Sequence, residues 1–205
     1  MGLRFTGSGF VDDSGTPFPP KGRDLGLEDA PEGRPLALED AAEYFAELRR
    51  RGTGAVRLGI RWDYLEETPG FRNEAYLAYL RKLLSALDGQ GMAAFLVPVI
   101  QDDPPADGAP ERFLAAYRHA YRRFKNCRTP LAWGLLGGPG PWPSWIPPEE
   151  AESFALAFME RMREVDRGLV FFTERYPGSD REGFARRLGL LPPSSLEGLF
   201  SPLPG

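Results

Sequence analysis

Three acidic side chains fall at the ends of predicted strands, where they could act as an acid, a base or a nucleophile. Asp102 and Asp103 follow the apolar run 92–100, and Glu174 ends the run 168–174. Barrel enzymes assemble their sites at the carboxyl ends of parallel strands, so these carboxylates are candidates for acid–base chemistry. An acid at a strand end is also often a loop cap or an ion-pair partner, and the sequence leaves both interpretations open.

The single histidine and the single cysteine argue against several other kinds of site. His119 lies in an amphipathic helical stretch, and one histidine argues against most histidine-based metal sites and against a catalytic triad. Cys127 has no second cysteine to pair with, and we predict a partly buried thiol at a helix end. We predict no metal and no cofactor, and a formal net charge of −4 gives no reason to expect a nucleic acid partner.

Strands and helices alternate along the chain and must position these residues. Segments predicted as strands lie at 19–26, 54–60, 92–100, 131–136, 168–174 and 196–202. Segments with helical spacing of apolar residues lie at 38–52, 73–91, 110–126, 147–166 and 182–189. About six βα units in strict alternation predict an α/β fold with a parallel sheet, either doubly wound or a (β/α) barrel. The length favours one domain over residues 1–205, with an N-terminal β-hairpin at 1–20.

The stretch LAWGLLGGPGPW at 131–142 ends a predicted strand in glycines, where a catalytic side chain would be expected. No GxGxxG fingerprint follows the first strand, which argues against a dinucleotide site. The glycines also lack the Lys-Ser/Thr pair of a phosphate-binding P-loop.

Several segments, taken in order, resemble glycoside hydrolase family 5, the cellulase-like (β/α)8 barrels, and most closely its endoglycoceramidase-type branch. Residues 9–26 resemble that family's N-terminal hairpin and first strand, and residues 45–70 resemble its second βα unit. Residues 73–103 resemble the next helix and strand, and residues 131–140 fall where the family has Asn-Glu-Pro. The resemblance implies an incomplete TIM-type barrel with about six βα units and an N-terminal hairpin, and a carbohydrate ligand.

The chain departs from this pattern at the positions that carry the family's chemistry. The acid/base Glu falls on Gly138, and the Asn before it falls on Gly137. The family's nucleophile sits on a seventh strand, beyond the six that we predict. Retaining glycosidases need two carboxyl groups about 5–5.5 Å apart, so we expect a catalytically degenerate protein that binds glycan or serves as an interaction scaffold. The alternative is a glycosidase with a reassigned or intersubunit active site that draws on Asp102 or Glu174.

The residues that remain define a candidate cleft. They are Asp24, Arg57, Trp62, Gln101, Asp102, Trp142, Trp145 and Glu174. The resemblance implies that Arg57 holds the nucleophile, whereas a buried arginine also needs a partner such as Asp24 or Glu174, and we favour that pairing. The three tryptophans either stack on sugar rings or cover hydrophobic surface under a loop.

Stopping at a sixth strand predicts two open sheet edges, and we expect a homo-oligomer whose subunits cover them. The N-terminus has no apolar signal-peptide core, and no stretch approaches the about 20 apolar residues of a membrane span. We therefore expect a cytoplasmic protein.

Overall fold

The computed structural model describes residues 3–6, 10–12, 14–17, 21–25, 37–100, 108–137, 142–196 and 199–200. The strands are β1 (Leu3–Phe5), β2 (Phe10–Asp12), β3 (Gly22–Leu25), β4 (Ala55–Arg61), β5 (Ala93–Val99), β6 (Pro130–Gly134) and β7 (Phe171–Phe172). The helices are α1 (Leu38–Arg50), α2 (Trp62–Leu65), α3 (Glu74–Gly89), α4 (Ala109–Phe124), α5 (Ala151–Arg163) and α6 (Arg181–Leu188).

The main sheet has five parallel strands in the order β3-β4-β5-β6-β7, which is also their order along the chain. A doubly wound sheet reverses direction at a switch point, and this order has no reversal. Sequential parallel strands with intervening helices are the arrangement of a partial (β/α) barrel. The predicted fold class is confirmed, and the barrel alternative is the correct one.

The two faces of the sheet carry different cores because successive strand residues point to opposite sides. Val56, Leu58 and Trp133 belong to the larger cluster, which also contains the buried faces of the helices. Phe95 and Phe172 belong to a smaller cluster on the other face, which is the interior of the partial barrel. The described helices therefore pack on one face of the sheet, as in a barrel wall.

The predicted N-terminal hairpin is confirmed, since β1 and β2 pair antiparallel. Phe10 of this hairpin is buried in the barrel-interior cluster and packs edge-on against Phe95 with ring centroids 5.5 Å apart. The hairpin thus fills part of the barrel interior.

The predicted sixth strand at 196–202 is wrong for the part of it that the structure describes. Leu196 and Leu199 lie in turns, and the amide of Leu199 bonds to the carbonyl of Leu196 at 3.1 Å. Leu199 lies in a turn and is buried in the barrel interior. This burial accounts for an apolar residue at a position that is not in a strand.

The C-terminal segment contacts both edge strands of the sheet. The amide of Leu191 donates to the carbonyl of Phe171 on β7 at 2.7 Å, and the amide of Gly22 on β3 donates to the carbonyl of Leu199 at 2.6 Å. The chain thus covers part of each edge itself. The predicted homo-oligomer remains a prediction.

The connections between strands and helices follow their local sequences. The side chain of Asn73 caps α3 by accepting from the amide of Tyr76 at 2.9 Å, and Gly91 ends the turn after α3 with φ of +61°. Among the described residues, no helix is long and apolar enough to cross a membrane.

Candidate active site

An arginine held by two carboxylates lies at the barrel-interior face of the sheet. Arg57 on β4 donates from Nε and Nη2 to the two carboxylate oxygens of Glu174, at 2.5 and 2.6 Å. Its Nη1 donates to Asp24 at 2.9 Å. Asp24 is the register partner of Arg57 on β3, and Glu174 follows β7, so the fold brings together residues 117 positions apart.

Burial and charge act on Arg57 in opposite directions. Its side chain is only 9% exposed, whereas those of Glu174 and Asp24 are 26% and 42% exposed. Burial lowers the pKa of the Arg57 guanidinium, but the hydrogen bonds and charges of Glu174 and Asp24 raise it further, so the net pKa lies above its ordinary value. The arginine is therefore a permanent cation whose charge the two carboxylates balance.

Gly137 lies directly beneath this ion pair. Its amide donates to the carbonyl of Pro98 at 2.9 Å, and the amide of Glu174 donates to the carbonyl of Leu136 at 3.0 Å. A Cβ built on Gly137 would lie 1.9 Å from Val97 Cγ1, 2.5 Å from Glu174 Oε2 and 3.2 Å from Arg57 Nη2. The backbone at this strand end is therefore packed against the ion pair, with no room for a side chain.

The ion pair limits the chemistry that Glu174 can perform. Both of its oxygens accept from N–H donors of Arg57 in a bidentate pair, which orients the carboxylate towards the guanidinium. Glu174 could still act as a nucleophile, which needs an ionised carboxylate.

Two of the three predicted tryptophan platforms lie in the helix-side core. Trp62 is 4% exposed and donates from Nε1 to Glu66 at 3.0 Å. Trp145 is 7% exposed, and its ring packs against Trp62 and Phe113 with centroids 5.6 Å away in each case. Neither ring has a free face for a sugar, which corresponds to the alternative that they cover hydrophobic surface.

Trp142 is half-buried against the helix layer. Its ring contacts Phe184 with centroids 6.3 Å apart, and its Nε1 donates to the carbonyl of Ile146 at 2.8 Å. These two contacts attach the segment before α5 to helix α6. Gln101, Asp102, Asp103 and Gly138 lie outside the described residues, so their predicted roles stay predictions.

The segment between β4 and α3 presents two exposed aromatic rings that the sequence analysis missed. Phe71 is 72% exposed and Tyr64 is 42% exposed. The guanidinium of Arg61 lies 3.9 Å from the centroid of the Tyr64 ring, and the ring of Tyr76 packs edge-on against it. Both rings follow β4 in the sequence, the strand that carries Arg57 in its first half.

A buried carboxylate holds the backbone beside Phe71 in place. The side chain of Glu66 has no exposed surface, and it accepts from Gly70 N at 2.7 Å and from Arg72 at 2.5 Å. Arg112 of α4 adds an ion pair at 3.2 Å. The exposed ring is therefore displayed on a rigid turn. Trp62, Glu66 and Gly70 recur at every fourth position of the sequence. This regular spacing is the signal that could have indicated the turn.

In the described part of the chain, no three His, Cys, Asp or Glu side chains are grouped closely enough to hold a metal ion.

Glycoside hydrolases are among the solved structures with a similar arrangement of strands and helices. Endo-glycoceramidase II from Rhodococcus sp., in its lactosyl-enzyme intermediate, matches with a TM-score of 0.63 and 18% identity over 84% of this chain and 51% of that chain. The exo-beta-1,4-mannosidase Op5Man5 from Opitutaceae bacterium strain TAV5 matches with a TM-score of 0.66 and 19% identity over 83% of this chain and 34% of that chain. By sequence, no family model and no curated protein matches.

These similarities show a glycosidase-like fold. The chain spans about half the length, or less, of the solved structures that it matches.

Proposed function

We propose that this protein binds carbohydrate at the carboxyl end of its sheet and does not hydrolyse it. The observation that carries the proposal is the closed ion pair of Arg57 with Glu174, which leaves Gly137 no room for a side chain. Hydrolysis with retention requires one carboxyl group to donate a proton and a second to attack the anomeric carbon. The described residues supply two carboxylates here, and both are bound to one guanidinium.

Exposed aromatic rings support the carbohydrate ligand. Apolar faces of sugar rings stack on aromatic side chains, and Phe71 is the more exposed of the two rings, since Arg61 lies over the ring of Tyr64. Because Glu66 fixes the turn that carries Phe71, little conformational freedom is lost on binding. The fold neighbours add support, since one was solved in complex with the ganglioside GM3.

A second candidate is a glycosidase in which Glu174 is the nucleophile. The bidentate pairing of Arg57 with Glu174 favours it, because an arginine can hold an ionised carboxylate in position for attack. This candidate needs an acid within about 5–5.5 Å of Glu174, and Asp24 is the described carboxylate that shares its arginine. Catalysis by Asp102 or across a subunit interface belongs to the same alternative.

Binding and turnover measured side by side test the proposal. Isothermal titration with oligosaccharides chosen from a glycan array should show binding, and Phe71→Ala should weaken it about fivefold to tenfold because one stacking contact is lost. Release of aryl alcohol from aryl β-glycosides should stay at the uncatalysed rate.

The matched control is Leu156→Ala, which removes another exposed apolar side chain, from helix α5. It should leave glycan affinity unchanged. Turnover of any glycoside that is lost in both Glu174→Gln and Asp24→Asn would overturn the proposal in favour of the second candidate. If no glycan binds, the proposal of a carbohydrate ligand is wrong.

A further inference from the structure

A surface cavity of about 510 Å³ lies on the helix layer. One wall is a face of α3, where Arg81, Lys82 and Ser85 recur at helical spacing. The opposite wall is the turn after α4, which carries Asn126 and Arg128. A volume of this size is in the range that holds small-molecule ligands.

The floor of the cavity is fixed. Thr129 is 4% exposed and donates from Oγ1 to the carbonyl of Leu84 on α3 at 3.0 Å. Its own carbonyl accepts from the amide of Ala94 on β5 at 2.9 Å. The turn after α4 is therefore tied to both α3 and the sheet, so the two walls keep their separation.

The cavity is cationic although the whole chain carries a net charge of −4. Arg81, Lys82 and Arg128 line it, and Asp88 is the one carboxylate among its lining residues. In the described part of the chain, no ion pair joins any of these three cations to a carboxylate. The sequence itself has no acidic residue between Glu111 and Glu149.

The helix dipole does not account for this charge. Cations near the last turn of a helix stabilise its negative end, but Arg81 and Lys82 lie in the middle of α3. Guanidinium groups match phosphate oxygens with paired hydrogen bonds, and Ser85 and Asn126 add neutral donors. We infer that this cavity binds the phosphate group of a small phosphate monoester, independently of the carbohydrate site.

Cys127 provides a built-in probe of occupancy. It is the only cysteine of the chain and lines the cavity, where it is half-buried. Its alkylation by iodoacetamide, an uncharged reagent, is measured by mass spectrometry at constant ionic strength with rising concentrations of inorganic phosphate or glucose 6-phosphate. A bound phosphate should slow the reaction about tenfold when its concentration is ten times its dissociation constant.

Two variants locate the effect. The double substitution Arg81→Gln and Arg128→Gln should abolish protection, whereas Arg167→Gln, an exposed arginine outside the cavity, should preserve it. All exchanged residues are exposed, and circular dichroism checks that the variants fold. An alkylation rate that phosphate leaves unchanged in the wild type overturns the inference, and so does equal protection in the double variant. Protection by glucose 6-phosphate that unphosphorylated glucose reproduces also overturns it.

Discussion

Arg57 and Glu174 form a bidentate ion pair, with Nε to Oε1 at 2.5 Å and Nη2 to Oε2 at 2.6 Å. Glu174 thereby occupies the space that a side chain at position 137 would need. The pair joins the two halves of the described sheet, because Arg57 is on β4 and Glu174 follows β7. Its stability and its chemistry can be tested separately.

Removing the arginine should destabilise the protein. Arg57→Gln leaves Glu174 and Asp24 without their counter-charge, and we expect a loss of about 2–3 kcal/mol in the free energy of unfolding. The loss is smaller than for a fully buried pair because the two carboxylates retain 26% and 42% exposure. Urea denaturation measures it. Arg187→Gln, which breaks exposed ion pairs with Glu152 and Asp180, is the control and should change little.

A methyl group on Gly137 should also destabilise the protein. Gly137→Ala places Cβ 1.9 Å from Val97 Cγ1, so the neighbours must shift, and overpacking of this kind costs about 1–3 kcal/mol. Gly89→Ala is the control, because its Cβ meets nothing within 4 Å and alanine favours a helix. Equal midpoints in thermal melts of the two variants would show that the strand end is not closed.

The Trp62–Glu66 network should make stability depend on pH. Burial raises the pKa of Glu66, but hydrogen bonds from Gly70 N, Arg72 and Trp62 lower it further, so the net pKa lies below its ordinary value of 4.5. Stability from a lowered pKa is present above 4.5 and is lost as the pH falls through the pKa of the folded state.

The measurement compares wild type with Glu66→Gln in urea at pH values from 7 to 3. The free energy of unfolding of the wild type should fall more steeply below about pH 4.5 than that of the variant. Parallel curves for the two proteins would show that Glu66 does not contribute to the pH dependence of the free energy of unfolding. Glycan affinity at pH 7 should also drop in the variant, since the turn that presents Phe71 loses an anchor.

The sequence predicted the order of the long elements because the helices show helical spacing of apolar residues and the buried strands are continuous apolar runs. It also predicted a partner for Arg57, since a buried guanidinium needs a carboxylate and few were available near the strand ends. Asp24 and Glu174 both proved to be partners. These inferences rest on local patterns and on the cost of burying a charge.

Other features depended on packing between distant segments. A tryptophan has the same sequence signal in a cleft as in a core, so only the fold shows that Trp145 is enclosed by Trp62 and Phe113. The exposure of Phe71 likewise follows from a turn that Glu66 ties down. The run 196–202 resembled a strand because Leu199 is buried against the barrel interior.

The most direct test of the central claim asks whether Glu174 can attack a sugar. A 2,4-dinitrophenyl 2-deoxy-2-fluoro-β-glycoside needs no acid to expel its leaving group, so a nucleophilic carboxylate displaces dinitrophenolate and forms an ester at the anomeric carbon. Peptide mass spectrometry after incubation should find Glu174 unmodified, because the proposed protein binds glycan without forming a glycosyl ester. A fluoroglycosyl adduct on Glu174 that is absent in Glu174→Gln would contradict the account and identify an active glycosidase.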